Sequence, residues 1–211
     1  RLTHRGAEPL DQHALGELAR VVDCLHSKKP SRADAGQTLM QLDNIRDDGL
    51  VDTSKRYTIT EDDYRKWSAK FATQPWDHVI TNVGRIGAVA RIPQGFVAAL
   101  GRNMTGIRPN DPTESGAFIC AALQAPAVRR EIELRTDAGT IMNALNVRSI
   151  PHLRLPKSSA DERRRFHSLV APRLILMDHA LQESQRLAAL RDVLLPELLS
   201  GRIRVPADEV A

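Results

Sequence analysis

The sequence predicts an α/β (α+β) domain built on a small irregular β-sheet, followed by a long coiled-coil-forming α-helix. Three observations carry this reading. Residues 78–109 hold the short runs HVITNV, GAVARI, FVAAL and MTGIRP, rich in β-branched and small apolar residues and punctuated by Gly and Pro, which is how short strands read. The stretches ESGAFICAALQA and AVRREIELR that follow are helical in pattern. From Lys157 to Gly201 the character changes to one sustained helical pattern. Apolar residues make up 42% of the chain and aromatics only 4%, so the core must be built from Leu, Ile, Val and Ala.

Taken in order, LGELARVV predicts a short helix running into a strand. The segment HSKKPSRADAG, rich in Ser, Lys, Pro and Gly, predicts a loop, and QTLMQLDNI a strand. RDDGL is a turn by its Asp-Asp-Gly signal. In TITEDDYRKW, Thr60 is placed to cap a short helix whose first turn is acidic. After the sheet runs and two helices, SIPHLRLP reads as a last strand. Ser159 with Glu162 then fits a capping box. Val170, Leu174, Met177 and Leu181 follow 4-3-4 spacing, and Leu187, Leu190, Leu194 and Leu198 continue it after a one-residue drift. A continuous helix from about Ser159 to Leu199 would be roughly 60 Å long at 1.5 Å per residue. Pro172 and Pro196 are expected to kink or divide it, Gly201 to cap it, and RIRV to run on as a strand. So long a stripe needs a second helix to cover it; the alternative is two shorter helices folded back on the domain. The expected division is 1–156 for the domain, 157–205 for the helical arm and 206–211 for a tail.

Net charge is +4, a mild bias, but its distribution is uneven. Residues 1–70 hold 12 basic and 12 acidic side chains, whereas residues 78–110 contain Arg85, Arg91, Arg102 and Arg108 and no Asp or Glu. Without counter-charges such a stretch projects a positive field suited to phosphates; the alternative is separate arginines solvating strand ends. Chemistry is sparse. There is no Gly-Lys-Ser/Thr phosphate loop and no dinucleotide fingerprint. Gly84 and Gly87 in NVGRIG read as a turn. Asp77-His78 lacks further ligands at metal spacing, so no metal site is expected. Cys24 and Cys120 stand alone and read as buried structural thiols. No run of about 18 apolar residues is present, so no transmembrane helix is expected. The polar opening RLTHRGAEPLDQH has no apolar signal region, and the expected location is cytoplasmic.

In their order these segments resemble the specificity subunit of type I restriction-modification enzymes. LGELARVVDCLHSKKP is similar to the entry into a target recognition domain, and LMQLDNIRDDGLVD to its strand-turn segment. PWDHVITNVGRIGAVARI is similar to a strand, small-residue turn and strand, with Trp76-Asp77 in place of the family's Gly-Asp. MNALNVRSIPHLRLP resembles the return into the central helix. The ending LRDVLLPELLSGRIRV is the most specific piece, similar to the family's helix ending L-x-x-L-L-x-x-L-x-S-G-x-I from Leu194 to Ile203, with Arg191 at that pattern's first Leu. At the helix start PKSSADER departs from the family's Pro-x-x-Glu-Gln.

The resemblance implies a non-catalytic protein that reads one half of a split double-stranded DNA target. It implies a long helix that packs antiparallel to another: a second half-subunit, or a second copy in a homodimer. It implies docking to a modification (methyltransferase) subunit that binds S-adenosylmethionine and methylates adenine. A restriction subunit would use ATP and Mg for translocation and cleavage, so no cofactor belongs to this chain. With one domain and one helix the chain looks like half a subunit, either natural or a fragment. Side chains that can bond base edges or phosphates make Lys28, Lys29 and Arg32 the first DNA candidates, then Arg85, Arg102 and Asn103, with Lys66 and Lys70 at the backbone. Val170, Leu174, Met177, Leu181, Leu187, Leu190 and Leu194 would pair the helices. Two competing readings are a coiled-coil adaptor that binds protein and an enzyme domain with an unrecognised site.

Overall fold

The computed structural model describes residues 12–137 and 144–204. The opening residues 1–11 and the expected tail 206–211 lie outside the described residues. The chain runs β1 (Gln12–Ala14), α1 (Leu15–Leu18), β2 (Ala19–Asp23), β3 (Gln37–Met40), β4 (Thr58–Ile59), α2 (Glu61–Ser68), β5 (His78–Thr81), β6 (Val89–Arg91), β7 (Ala99–Leu100) and β8 (Met104–Pro109). It continues through α3 (Pro112–Gln124), α4 (Pro126–Leu134), β9 (Thr136–Asp137), β10 (Ala144–Leu145), β11 (Arg154–Pro156) and α5 (Ala160–Leu199).

The central sheet is antiparallel, in the order β2-β8-β5-β6. Its runs look continuously apolar because both faces are covered. Ile80, Val89 and Ile107 point to one side, where Leu15, Ile119, Leu123 and Ile132 cover them. Their neighbours Val79, Ala90 and Met104 point to the other, against Met40, Val51, Phe71 and Ile92. Fully burying each large side chain contributes roughly 1.5–3 kcal/mol. A second sheet, β4-β3-β7, pairs β3 with β7 in parallel and β3 with β4 antiparallel. α2 starts where expected: the Thr60 hydroxyl accepts the Asp63 amide.

Three expectations are corrected. QTLMQLDNI is strand only to Met40. Asn44 then accepts the Gln41 amide with its side-chain oxygen and donates to the Asp52 and Lys55 carbonyls, which turns residues 42–44 into a 3₁₀ turn. SIPHLRLP is strand only at β11, because the Asn146 side chain caps a 3₁₀ turn over Val147–His152. The RIRV segment is no strand over residues 202–204, and Val205 lies outside the described residues.

α5 is one helix of 40 residues, and neither proline divides it. Its capping box is formed, with Ser159 Oγ accepting the Glu162 amide and the Ser159 amide donating to Glu162 Oε2 at 2.7 Å. At its end Gly201 takes φ +71°. The Gly201 amide donates to the Leu198 carbonyl and the Arg202 amide to that of Glu197, the reciprocal closure a left-handed glycine permits.

The first two-thirds of α5 wall the domain. Arg163 pairs with Glu114 at 2.6 Å, and the His167 ring lies tilted by 55° against Trp76 with centroids 4.7 Å apart. Ala171 packs on Trp76 and Ala117. Asp178 accepts both of its bonds from Arg91 at 2.7 Å. Gln185 bonds Asp52 and Thr53. Residues 186–199 run on past the last of these contacts for roughly 20 Å.

His78 lies opposite Arg91 across the β5–β6 pair and is fully buried. Burial, and then the neighbouring guanidinium, push its pKa down to about 3. The imidazole is therefore neutral in the fold, while the unfolded chain takes up a proton near pH 6.5. Between those values the unfolded state binds more protons, so stability falls as pH falls through this window. His167, whose pKa burial also lowers, acts in the same direction. Denaturation at pH 7.5 and pH 5 should show the loss, and His78→Leu should remove the larger part of it. A wild-type profile that is flat over this range would contradict the assignment.

Candidate nucleic-acid interface

The loop of residues 24–36 leaves the end of β2 and is pinned over β4. Tyr57 donates its hydroxyl to the Pro30 carbonyl at 2.9 Å, and the Ala33 amide donates to Thr58 at 2.9 Å. The pinning sets two cations. Lys29 Nζ lies 3.8 Å above the Tyr57 ring, and Arg32 donates to the Arg56 carbonyl. Beside them is the β7–β8 turn. A Cβ at Gly101 would fall 2.2 Å from the Met40 carbonyl oxygen, so only glycine lets the turn come this close. Asn103 follows in the left-handed region at φ +64°, a conformation Asn tolerates. Arg102 at this turn is exposed and has no ion pair or side-chain hydrogen bond among the described residues. The third wall is the segment that Asn44 holds, which carries Lys55 and Arg56.

Together these elements enclose an open cleft of about 630 Å³, lined by Lys29, Arg32, Lys55, Arg56, Arg102 and Asn103. Asp43 is its single carboxylate against five cations. All five cations are exposed. The arrangement can neutralise several phosphates while Arg102 and Asn103 present unsatisfied donors to a base edge.

Of the residues singled out by sequence, Lys29, Arg32, Arg102 and Asn103 come together here. Lys28 is exposed nearby in the chain but does not line the cleft. Lys66 and Lys70, exposed at α2 and just beyond it, do not line it either. Arg85 faces a neighbouring hollow lined by Asp43, Asp47, Asp48 and Asp52, and is tied to Asp47 and the Ile45 carbonyl. The uncompensated field expected over residues 78–110 is thus corrected. Arg85, Arg91 and Arg108 are paired with Asp47, Asp178 and Asp77, all supplied from outside that stretch. Lys55, Arg56 and Tyr57 were not expected; their signal was a basic pair just before a strand.

The helix-pairing stripe is also divided. Val170 and Leu174 pack against Trp76 and Ala117, and Leu181 is half-buried on the same side. Met177, Leu187 and Leu190 are exposed, and Leu194 is half-buried. The one-residue drift in spacing is therefore a change of face.

Elsewhere the chemistry is structural. Asp77 is held by Arg108 at 2.6 Å and cannot act with His78, which is sealed in the core. Burial pushes the thiols of Cys24 and Cys120 up. Asp23, Cys24 and His26 place ligand-type atoms within 4.8 Å of one another, a grouping that the sequence did not reveal. The Asp23 carboxylate already bonds His26 at 2.7 Å beside a thiol whose pKa burial raises, so the group is a local hydrogen-bonded pair.

No family model matches the chain, and no curated protein matches it by sequence. Solved structures do. A chain from work on complex assembly and conformational transition of the type I restriction-modification system superposes with a TM-score of 0.53 at 17% identity, over 92% of this chain and 47% of that one. The type I restriction-modification S subunit from M. genitalium gives 0.52 at 16% identity, over 93% and 48%. The chain has the S-subunit fold. The HsdS subunit from Thermoanaerobacter tengcongensis gives 0.52 at 15% identity, over 92% and 46%. The chain therefore spans about half the length of these S-subunit structures. The mixed α/β domain with its long C-terminal helix is the S-subunit pattern. Among the described residues no helix is long and apolar enough to cross a membrane.

Proposed function

We propose that this chain is a non-catalytic DNA-specificity module that reads one half of a bipartite double-stranded target. The observation that carries it is the cleft, in which five exposed cations and Asn103 converge from three separate chain segments on an S-subunit fold. In this reading Lys29, Arg32, Lys55 and Arg56 hold phosphates, and Arg102 with Asn103 meets base edges. Methylation and cleavage belong to partner modification and restriction subunits, which would bring S-adenosylmethionine, ATP and Mg. The α5 helix is the element on which they would dock.

The test is binding to a pool of duplexes followed by fluorescence anisotropy on the selected sequence. If Lys29, Arg32, Lys55 and Arg56 each contact a phosphate, the slope of log K against log salt should be about −3.6. Binding should be weak for the chain alone and tighter with a methyltransferase subunit. Affinity that stays flat between low and high salt would exclude the cleft as a phosphate-binding surface.

A further inference from the structure

Where β2 ends, three side chains with metal-ligand atoms stand together. The last pair between β2 and β8 is Asp23 with Thr105. The next residue, Cys24, is 3% exposed, and the amides of Met104 and Asn103 bond its sulfur. Two residues on, His26 is exposed and turns its Nε2 back to Asp23 Oδ2 at 2.7 Å. One ligand atom from each of the three lies within 4.8 Å of the other two.

The Asp23–His26 hydrogen bond leaves two features of this group unused. Asp23 Oδ1 is buried and has no hydrogen-bond partner among the described residues, a state that buried polar atoms rarely keep. The Cys24 sulfur, a weak acceptor as a thiol, is nevertheless met by two amide donors. Burial pushes this thiol up, the Met104 amide works against the rise, and the Asp23 charge adds to it. A bound divalent cation reverses the balance, because it neutralises the carboxylate and deprotonates a coordinating thiol outright.

From this arrangement we propose that Asp23, Cys24 and His26 form a binding site for a zinc-class divalent cation, with water in the fourth tetrahedral position. Thiolate, imidazole and carboxylate are the donors zinc takes, whereas calcium and magnesium take oxygen. The cation replaces the proton between His26 Nε2 and Asp23 Oδ2. That proton moves to Nδ1 of an imidazole that is 70% exposed, and the Cys24 thiol releases its own to water. All three ligands fall within residues 23–26, so closing the site orders little chain.

The site joins two walls of the basic cleft. Cys24 is bonded by the amide of Asn103, and His26 opens the loop that carries Lys29 and Arg32. The root of that loop is closed by the Ser27 amide on the Leu25 carbonyl at 3.2 Å. A cation here fastens the root to the turn of Arg102 and Asn103. The site stands whether or not the cleft binds DNA.

The full chain, stripped with EDTA, should take up one Zn²⁺ in competition with a chromogenic chelator, and neither Mg²⁺ nor Ca²⁺ should displace it. Co²⁺ in its place should give the absorption of a tetrahedral site with a sulfur charge-transfer band. Cys24→Ser should remove that band. His26→Ala, at an exposed position that leaves the fold intact, should weaken Zn²⁺ binding at least about a hundredfold, since loss of an outer-shell partner alone costs about ten- to a hundredfold. Zn²⁺ should raise the Tm of the wild type but not of His26→Ala, and His179→Ala, at another exposed imidazole, should bind as the wild type does. No uptake at high micromolar Zn²⁺ would overturn the proposal. So would uptake unchanged in His26→Ala and Cys24→Ser, or a cobalt spectrum without the sulfur band. Because no arm contains DNA, failure here leaves the DNA reading standing, and failure of DNA binding leaves this one.

Discussion

Replacing Asp178 with alanine is expected to destabilise the protein by about 3–5 kcal/mol, the cost of leaving a buried guanidinium without its partner. Arg91 is 2% exposed and Asp178 5%. Arg91 donates to both carboxylate oxygens and to the Leu174 carbonyl, lies 4.8 Å over the Trp76 ring, and has an Nε with no partner. Nothing else within its bonded set carries a negative charge. The double variant Arg91→Met, Asp178→Leu should recover most of the loss, because apolar residues of similar volume avoid the desolvation cost. Urea denaturation of the four proteins in the cycle measures this directly. A loss under about 1 kcal/mol for Asp178→Ala would mean that water reaches the pair.

The second large effect concerns the cleft. Lys29→Ala, Arg32→Ala and Arg102→Ala together should weaken duplex binding by about two to three orders of magnitude and make the salt slope shallower by about one for each phosphate no longer neutralised. Stability should change little. The Lys29–Tyr57 interaction is worth about 0.5–1 kcal/mol at an exposed site, and Arg102 has no partner to lose among the described residues. Arg102→Ala alone separates the two roles. As a base reader it should relax preference at one position; as a phosphate ligand it should weaken every sequence equally. Unchanged affinity in the triple variant would place the DNA elsewhere.

Much of the architecture was legible because it is written locally. Thr60, the Ser159–Glu162 box and Gly201 act on backbone groups within a few residues, so their sequence neighbourhood suffices. The runs in the central sheet were legible for the same reason. What stayed hidden is decided at long range. Asp178 has the look of a solvated helix residue until Arg91, 87 positions away, is brought against it. The acid-free stretch looked unpaired because its carboxylates come from three other segments. The phase of α5 was hidden in another way: both its faces carry apolar residues, and hydrophobicity does not say whether a leucine covers its own domain or a second chain. In the cleft, single basic residues gave no signal above a solvated surface. Only the pinning of one loop by Tyr57 and the glycine-tight turn at Gly101 converge them.

The attachment of α5 has a consequence for cooperativity. A boundary near residue 157 looks like a joint between a domain and an arm. Yet Ala171 and Leu174 cover Trp76, Asp178 neutralises Arg91, and Gln185 closes on Asp52. The helix as far as residue 185 is therefore the domain's outer wall, and melting it would open the core to water. Domain and inner helix unfold as a single event, and only the last turns of α5 can fray by themselves. The arm is thus less a linker hung on a finished domain than the last piece of it, prolonged outward.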